Sequence, residues 1–376
     1  MNPNALPFDS DTILRGLRPW IECESPTWNS AAVNRMMDLA SRDLAMLGAR
    51  IERIPGRMGF GDCVRARFPH PSRDKPGILI LGHMDTVHPV GTLSQLPWHH
   101  DGERCYGPGI LDMKAGNYIA IEALRHLTQA GIETLLPVTV LFTSDEEVGS
   151  PSTRDLIEAE AQRNAYVLVP EPGGSDHSVV TGRYAIARFN IETRGRPSHA
   201  GALLKEGRSA IRAMAHRVLE IDAMTTDDCT FSVGVIQGGQ WVNCVATVCT
   251  AEVLSMAKRQ QDLDQGVERM LALAGAINDV SFHVERGVTR PVWEPNERTM
   301  ALYDQACAVA QLIGFDLPHR SAGGGSDGNF TGAMGIPTLD GLGVLGENLH
   351  TLEEHIFVRS LVQRGKLLAG LLADLR

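Results

Sequence analysis

Hydrophobic and polar residues follow two different spacings along the first ~180 residues of the chain. In residues 9–22 and 29–47 the apolar positions recur every three or four residues, which predicts amphipathic helices. Residues 78–81 and 138–143 are short, largely apolar runs, which predict buried strands. The same patterns predict further helices at 113–130 and 152–161 and a further strand at 166–169. Strands that alternate with helices favour an α/β layer with a mostly parallel sheet.

After residue 182 the pattern changes to the alternation that is typical of half-buried strands. It predicts strands at 184–193, 230–237, 247–254 and 280–286, with helices at 207–223 and 262–276. This order, β-α-β-β-α-β, is that of the ferredoxin-like split unit. Helical spacing then returns at 296–313 and 358–372.

The whole pattern predicts an α/β protein with a discontinuous first domain. We assign residues 1–182 and 291–376 to that domain, with a mostly parallel mixed sheet flanked by helices. Residues 183–290 form an inserted ferredoxin-like α+β domain. Two domains also agree with the length of 376 residues, which exceeds the usual size of one domain.

Composition excludes several classes of protein. The formal net charge of −10 argues against a broad nucleic-acid surface, which needs clustered basic residues. No apolar run approaches the ~20 residues that a membrane span needs. Residues 1–11 lack the basic and apolar regions of a signal peptide, and the seven cysteines form no CxxC pair. These features predict a cytoplasmic protein with reduced thiols and no membrane or nucleic-acid partner.

Polar residues of metal-binding type follow three of the predicted strands. His83 and Asp85 come after the first strand, Glu146 and Glu147 after the second, and Glu171 after the third. In open α/β sheets, ligands bind beyond the carboxyl ends of the strands. We therefore expect these side chains to meet at one edge of the sheet.

Two further residues become candidate metal ligands only when they are considered together with the residues at that edge. Asp112 precedes a predicted helix, and taken alone it would be a helix N-cap. His350 taken alone predicts nothing. Several buried carboxylates would repel each other unless a cation lay among them. Imidazole and carboxylate ligands suit zinc, so the joint pattern favours a metal site.

The residues that carry this pattern also match the motifs of a known family. They are His83-Met84-Asp85, Asp112-Met113-Lys114, Asp145-Glu146-Glu147, Glu171-Pro172, Ser198-His199-Ala200-Gly201 and Gly323-Gly324-Gly325-Ser326-Asp327. In this order they resemble the co-catalytic zinc peptidase family of glutamate carboxypeptidase, aminoacylase, acetylornithine deacetylase and succinyl-diaminopimelate desuccinylase. Within it, the chain is most similar to the glutamate carboxypeptidase branch.

The resemblance implies a site with two divalent metal ions. Zinc is the expected metal, and the same ligands also accept cobalt or manganese. By similarity, Asp112 bridges the two ions. One ion takes His83 and Glu171, and the other takes Glu147 and His350. Glu146 is then the general base, and Asp85 orients His83.

The resemblance also gives the inserted domain two roles, those of a lid and of a homodimer contact. The histidine that matches His199 acts as a catalytic donor to the oxyanion in the neighbouring subunit's site. Asn243 and the residues Gly324, Gly325 and Ser326 match positions that face a small-molecule substrate.

One position departs from the family pattern. In the carboxypeptidase and aminoacylase branches, an arginine on the inserted domain often binds the substrate's free carboxylate. Alignment from Asn243 without gaps places Met256 there, and a thioether does not replace a bidentate guanidinium. Lys258 and Arg259 lie nearby in a shifted register.

Two functions therefore stay open. The first is a metal-dependent hydrolase that cleaves the amide C–N bond of a small N-acyl amino acid or peptide-like substrate. The second is a hydrolytic deaminase or amidohydrolase that acts on a non-peptide C–N bond, of aromatic amine or urea type, and Met256 motivates it. A non-catalytic binding protein would lack a ligand or the base, and none is missing. A nicotinamide dehydrogenase is disfavoured because no GxGxxG occurs.

Overall fold

The computed structural model describes residues 1–376 and divides into two compact units. The first unit consists of Met1–Gly182, Glu294–Ala322 and Ser326–Arg376. The second consists of Arg183–Trp293 and Gly323–Gly325. Each unit has a hydrophobic core of its own. No helix has both the length and the apolar character to cross a membrane.

Nine α-helices follow the apolar spacing that the sequence shows. They are α1 (Ser10–Glu22), α2 (Ser30–Met46), α3 (Ala115–Gln129), α4 (Arg154–Ala161), α5 (Ala210–Asp222), α6 (Gln260–Ala272), α7 (Glu297–Ile313), α8 (Gly328–Ala333) and α9 (Val358–Asp374). Asp9, Asn29, Ser209 and Asn296 cap four of these helices, because each side chain accepts the backbone N–H three residues on. Such a cap contributes about 1 kcal/mol, which explains where these helices begin.

Seventeen strands complete the secondary structure. They are β1 (Arg50–Ile54), β2 (Cys63–Arg67), β3 (Gly77–His83), β4 (His99–His100), β5 (Arg104–Tyr106), β6 (Val138–Thr143), β7 (Asn164–Leu168), β8 (Val179–Arg183), β9 (Ala185–Arg194), β10 (Cys229–Gly238), β11 (Val248–Ala257), β12 (Gly275–Ile277), β13 (Val280–Arg290), β14 (His319–Ala322), β15 (Thr338–Leu339), β16 (Gly346–Glu347) and β17 (His355–Phe357).

The main sheet of the first unit has six strands in the order β1-β2-β6-β3-β7-β15. The neighbours β6, β3, β7 and β15 run parallel, whereas β1 and β2 join antiparallel at one edge. Every residue of β3 and β6 is buried, as expected for strands covered on both faces. The predicted mostly parallel mixed sheet is thus confirmed.

Alternate side chains of β3 pack into different hydrophobic clusters, on opposite faces of the sheet. Ile78 and Ile80 join the large core, whereas Leu79 and Leu81 join a smaller cluster with Ile157 of α4. Successive side chains of a strand point to opposite faces, so helices must cover both sides of this sheet. The apolar run of β3 therefore has a partner layer on each face.

The antiparallel strands β1 and β2 were not predicted from the sequence. Charged residues interrupt their alternation, and no apolar run marks them. Tertiary ion pairs support them instead: Arg65 lies 2.8 Å from a Glu52 carboxylate oxygen and 2.9 Å from one of Glu160. The sequence shows the charges but not this pairing.

The second unit contains an antiparallel sheet in the order β10-β11-β9-β13-β12. The first four strands have the ferredoxin-like order that the sequence predicts. Phe189 and Ile191 of β9 lie in one buried cluster with Met214 of α5 and Met270 of α6, so both helices cover one face. The predicted continuation of the second helix to residue 276 is wrong, because α6 ends at Ala272 and β12 follows.

Gly116 shows how closely α3 approaches the end of β7. A Cβ atom added at Gly116 would lie 1.9 Å from the carbonyl oxygen of Pro170, the residue before Glu171. A backbone carbonyl cannot move aside as a flexible side chain can. Gly116 therefore allows the close contact that places the Glu171 segment.

We expect Gly116→Ala to lower the free energy of unfolding by roughly 1–3 kcal/mol through overpacking, measured by urea denaturation. Helix propensity alone predicts the opposite sign, a gain of about 1 kcal/mol from glycine to alanine. Gly234→Ala is the control, because nothing lies within 4 Å of the Cβ added there. A Gly116→Ala variant more stable than wild type would contradict this account.

Candidate metal centre

The three polar clusters predicted at strand ends lie side by side. His83 is the last residue of β3, the turn Glu146–Val148 follows β6, and Glu171 follows β7. In the sheet β3 lies between β6 and β7 and runs parallel to both. Their carboxyl ends therefore meet at one edge, and the predicted ligands come together there.

His83 presents one ring nitrogen to this edge. Its Nδ1 lies 2.9 Å from the backbone carbonyl oxygen of Asp85 and donates to it. The Nε2 atom then faces the cluster, 3.2 Å from Asp112 Oδ1 and 3.6 Å from Glu171 Oε1. The side chain is 1% exposed, so it has little freedom to turn away.

Asp85 connects the ends of β3 and β6. Its fully buried carboxylate accepts the backbone N–H groups of Glu146 and Glu147 at 3.2 and 3.3 Å. Thr27 donates its hydroxyl to the same carboxylate at 2.8 Å. Asp85 therefore fixes the turn that carries the predicted base and one predicted ligand. The Thr27 contact was not predicted from the sequence.

Asp112 places its two carboxylate oxygens against two different histidines. The Oδ1 atom lies 3.2 Å from His83 Nε2, and the Oδ2 atom lies 3.0 Å from His350 Nε2. The same His350 nitrogen lies 3.4 Å from Glu147 Oε2. One carboxylate thus contacts both histidines of the predicted ligand set, one with each oxygen.

His350 lies on a turn with an unusual backbone. Both Asn348 and His350 have positive φ values, 60° and 64°. This left-handed region is uncommon outside glycine, although asparagine and histidine enter it more readily than most residues. The His350 side chain is 45% exposed, so solvent reaches the cluster from this side.

The spacing of these atoms fits divalent metal ions. One ligand atom from each of His83, Asp112 and Glu147 lies within 4.8 Å of the others, and so do atoms of His83, Glu146 and Glu171. Two ligands at about 2.0–2.1 Å from a tetrahedral ion are about 3.3 Å apart. The distances of 3.0–3.6 Å given above agree with that value. In addition, Glu147 Oε1 is buried without a hydrogen-bond partner.

The electrostatics also favour bound positive charge. Burial, together with the charge of Asp112, raises the pKa of Glu171 to about 8 and raises the pKa of Glu147. The carboxylates of Asp112 and Glu147 raise the pKa of His350 to about 10. Crowded carboxylates therefore attract either protons or divalent cations. The residues present fit a pair of such ions.

Glu146 lies inside the same cluster. It is buried, and its Oε2 atom lies 3.9 Å from His83 Nε2. The neighbouring Asp145 has a different environment, since its carboxylate accepts the Ser152 N–H at 2.7 Å and the Thr153 hydroxyl. The structure thus separates Asp145, which stabilises the following turn, from Glu146, which lies among the ligands.

Ser326 belongs to the first unit, and its hydroxyl is already engaged. It donates to Asp340 at 2.5 Å and accepts the Gly328 N–H at 3.0 Å. The side chain is fully buried. Its contacts are those of a residue that supports the turn before α8.

The other predicted site residues lie in the second unit. His199 is exposed, and its Nδ1 accepts the backbone N–H groups of Gly201 and Ala202 at 3.1 Å, which leaves the proton on Nε2. The Asn243 carbonyl accepts the Ala200 N–H at 3.0 Å. The Gly324 carbonyl accepts a guanidinium N–H of Arg183 at 2.8 Å.

Gly325 packs against the sheet of the second unit. A Cβ atom added there would lie 2.6 Å from Ile186 Cδ1 and 2.8 Å from Arg290 Cδ. The absence of a side chain at Gly325 thus lets this turn lie close to Arg290, which the sequence analysis did not single out.

Comparison with known proteins gives the family to which the chain belongs. The model of peptidase family M20/M25/M40 matches residues 79–374. Carboxypeptidase G2 of Pseudomonas sp. (strain RS-16) is 28% identical over 379 residues, covering 98% of this chain and 90% of the relative. A succinyl-diaminopimelate desuccinylase of Halorhodospira halophila is 27% identical over 316 residues, covering 77% and 80%.

Solved structures share the fold. The aminopeptidase PepT of Bacillus cereus superposes with a TM-score of 0.74 at 21% identity, covering 97% of this chain and 98% of that one. The M20 family metallo-carboxypeptidase Sso-CP2 of Sulfolobus solfataricus has a TM-score of 0.73 at 16% identity, covering 96% and 98%. The protein is a hydrolytic enzyme that belongs to the metal-dependent peptidase family M20/M25/M40.

Proposed function

We propose that this enzyme hydrolyses the amide C–N bond of a small N-acyl amino acid or peptide-like substrate. The observation that carries the proposal is Asp112, whose two oxygens face His83 and His350 while Glu146 lies in the same cluster. The ions would be held by His83, Asp112, Glu147, Glu171 and His350. This set of nitrogen and oxygen ligands suits zinc, and it also accepts cobalt or manganese.

The bound ions would supply a water of lowered pKa and a Lewis acid for the acyl oxygen. Glu146 accepts the proton of the attacking water and later donates it to the leaving nitrogen. Asp85 holds the backbone of Glu146, so the carboxylate keeps its direction between the two proton transfers. Burial of Glu146 limits competing bulk water.

The alternative of a deaminase or of an enzyme for urea-type bonds has less support. Its motivation was Met256, and no feature of the metal centre distinguishes the bond that is cleaved. The relatives bear the names of a carboxypeptidase, a desuccinylase and an aminopeptidase. Product analysis separates the two functions, because a deaminase releases ammonia without forming a new carboxylic acid.

The first test is Glu146→Gln, assayed on a panel of N-acyl amino acids. We expect this variant to bind two divalent ions per chain, as wild type does, while kcat falls roughly 10²–10⁴-fold. Metal content is measured by elemental analysis after gel filtration. Glu133→Gln, at an exposed position, should leave kcat unchanged. Near-normal turnover by a fully metallated Glu146→Gln would exclude this mechanism.

A free carboxylate on the substrate requires a cation, and Arg290 of the second unit lies in the same row of the sheet as Met256. Met256 lies directly opposite Ile186 of β9, and Ile186 lies directly opposite Arg290 of β13.

Directly opposed residues in a sheet point to the same face. Arg290 therefore shares a row with Met256, two strands away on the face opposite α5 and α6, and it is buried there. We propose that Arg290 provides the carboxylate recognition that Met256 cannot provide. The enzyme is then an aminoacylase or carboxypeptidase rather than a general amidase.

We expect Arg290→Met to raise KM for an N-acyl amino acid roughly 10–100-fold, as expected for loss of charge-assisted hydrogen bonds. The KM for the matching carboxamide should change little. Arg194→Met is the control, since Arg194 lies on the neighbouring strand and pairs with Glu192. Equal effects of Arg290→Met on acid and carboxamide would contradict carboxylate recognition by Arg290.

We also propose that the second unit forms a homodimer contact, with His199 reaching the partner's site as an oxyanion donor and Asn243 and Gly324 contacting substrate. Trp241, Val242, Leu204 and Ile211 line a groove of about 810 Å³, and Trp241 is 72% exposed. Soluble monomers rarely leave such apolar groups contiguous and uncovered. A second copy of the chain would cover them.

We expect wild type to sediment at about twice its chain mass of 40.8 kDa and Val242→Glu to sediment as a monomer. Val242 is fully exposed in the single chain, and the proposed dimer would bury it. A glutamate carboxylate at this position would then be buried without a partner, which opposes association. Met58→Glu, which changes an exposed apolar residue of the first unit, should remain dimeric. A monomeric wild type, or a dimeric Val242→Glu, would contradict the proposed contact.

A further inference from the structure

Glu354 is a fully buried carboxylate for which the proposed mechanism has no use. It lies four residues after His350, just before β17. Its Oε1 atom accepts the backbone N–H groups of Leu111 at 2.8 Å and Asp112 at 3.1 Å. Its Oε2 atom accepts the N–H of Gly109 at 3.1 Å and the ring N–H of His88 at 2.6 Å.

These contacts use the whole acceptor capacity of the group. An ionised carboxylate offers about four lone-pair positions, two on each oxygen. Three of the four donors are amides of the segment Gly109–Asp112, so that segment is held from one side by a single charge. The fourth donor is the ring N–H of His88, which is itself buried.

Glu354 also connects the loop of Asp112 with the loop of His350. Its own N–H donates to the Thr351 carbonyl at 3.4 Å, and its carbonyl accepts the Gly107 N–H at 3.4 Å. Thr351 in turn closes the His350 turn by donating its hydroxyl to the Asn348 carbonyl at 2.7 Å. The next residue, His355, pairs with Tyr106 in the sheet β17–β5.

The two loops contribute the residues that face each other across 3.0 Å, Asp112 and His350. Neither loop is a regular strand or helix at these residues. Asp112 has φ −116° and ψ 99° inside a turn, and His350 has a positive φ of 64°. Their mutual position must therefore be set by contacts outside their own secondary structure.

We propose that Glu354, with His88 as its support, is a positioning residue that holds Asp112 and His350 in register for joint binding of two metal ions. This inference rests on the proposed function. Charge-assisted hydrogen bonds are about twice as strong as neutral ones, so an anion suits this task better than an amide. Residues that orient metal ligands in this way typically contribute 10–100-fold to metal affinity or activity.

The test is Glu354→Gln, because the amide keeps the shape and removes the acceptor pattern. In either orientation the NH₂ group meets at least one backbone N–H, which is then left without an acceptor. The probe is Co²⁺ alone, titrated into the metal-free full-length enzyme by calorimetry and by its visible absorption. We expect at least one site to bind about 10-fold more weakly or worse, with an altered Co²⁺ spectrum.

Glu353→Gln is the matched control, since its side chain is exposed and lies one residue away. It should bind Co²⁺ with wild-type affinity and spectrum. For an active N-acyl substrate, Glu354→Gln should lower kcat while KM stays within about twofold, because the altered groups position ligands and do not touch the substrate.

A second pair of variants covers the case in which Glu354→Gln does not fold. His88→Ala removes one donor to Glu354, whereas His88→Gln restores an N–H donor at this position. We expect weaker Co²⁺ binding in the alanine variant and recovery in the glutamine variant. Far-UV circular dichroism of the metal-free proteins checks that each is folded.

Unchanged Co²⁺ affinity and spectrum in folded Glu354→Gln would overturn the proposal. If that variant does not fold, equal binding by His88→Ala and wild type would overturn it. The titration contains no substrate, so its outcome does not depend on which amide, if any, the enzyme cleaves. Failure of the proposed function and failure of this inference are therefore separate results.

Discussion

The mutual repulsion of buried carboxylates is the constraint on which the structure of the first unit depends. Asp112, Glu147 and Glu171 lie close together, and burial raises the pKa of the last two. Such a cluster is stable only if positive charge enters it. The repelling carboxylates lie beyond the carboxyl ends of the parallel strands β6, β3 and β7, outside the hydrogen-bonded part of the sheet. The fold thus creates a place whose natural occupant is a cation.

Two further carboxylates hold the cluster together without belonging to it. Asp85 accepts the backbone N–H groups of Glu146 and Glu147, and Glu354 accepts those of the segment Gly109–Asp112. In both cases a buried anion fixes a loop through several amides at once. The ligand-bearing loops therefore owe their shape to hydrogen bonds that are internal to the protein, and the metal ions can bind to loops that are already ordered.

The sequence predicts the parts of this arrangement that depend on short-range pattern. The apolar runs of β3 and β6 and the polar residues that follow them are visible in the chain, so the sheet and the ligand cluster could be expected. The contacts of Thr27 with Asp85 and of Glu354 with Leu111 could not, because their donors lie 58 and 243 residues away in the chain. Backbone N–H groups are common to all residues except proline, so the sequence does not show which of them a carboxylate binds.

In the second unit, recognition of a substrate carboxylate is likewise difficult to predict from the sequence. Alignment along one strand compares Met256 with a single family position and finds no cation there. A sheet face, however, is two-dimensional, and the row that contains Met256 continues through Ile186 to Arg290. Neighbouring strands are about 4.8 Å apart, so two strands displace a guanidinium by roughly 10 Å, a distance comparable to the length of a small substrate. A loss read from one strand can therefore be a relocation across the sheet, so Met256 alone does not exclude recognition of a substrate carboxylate by this face.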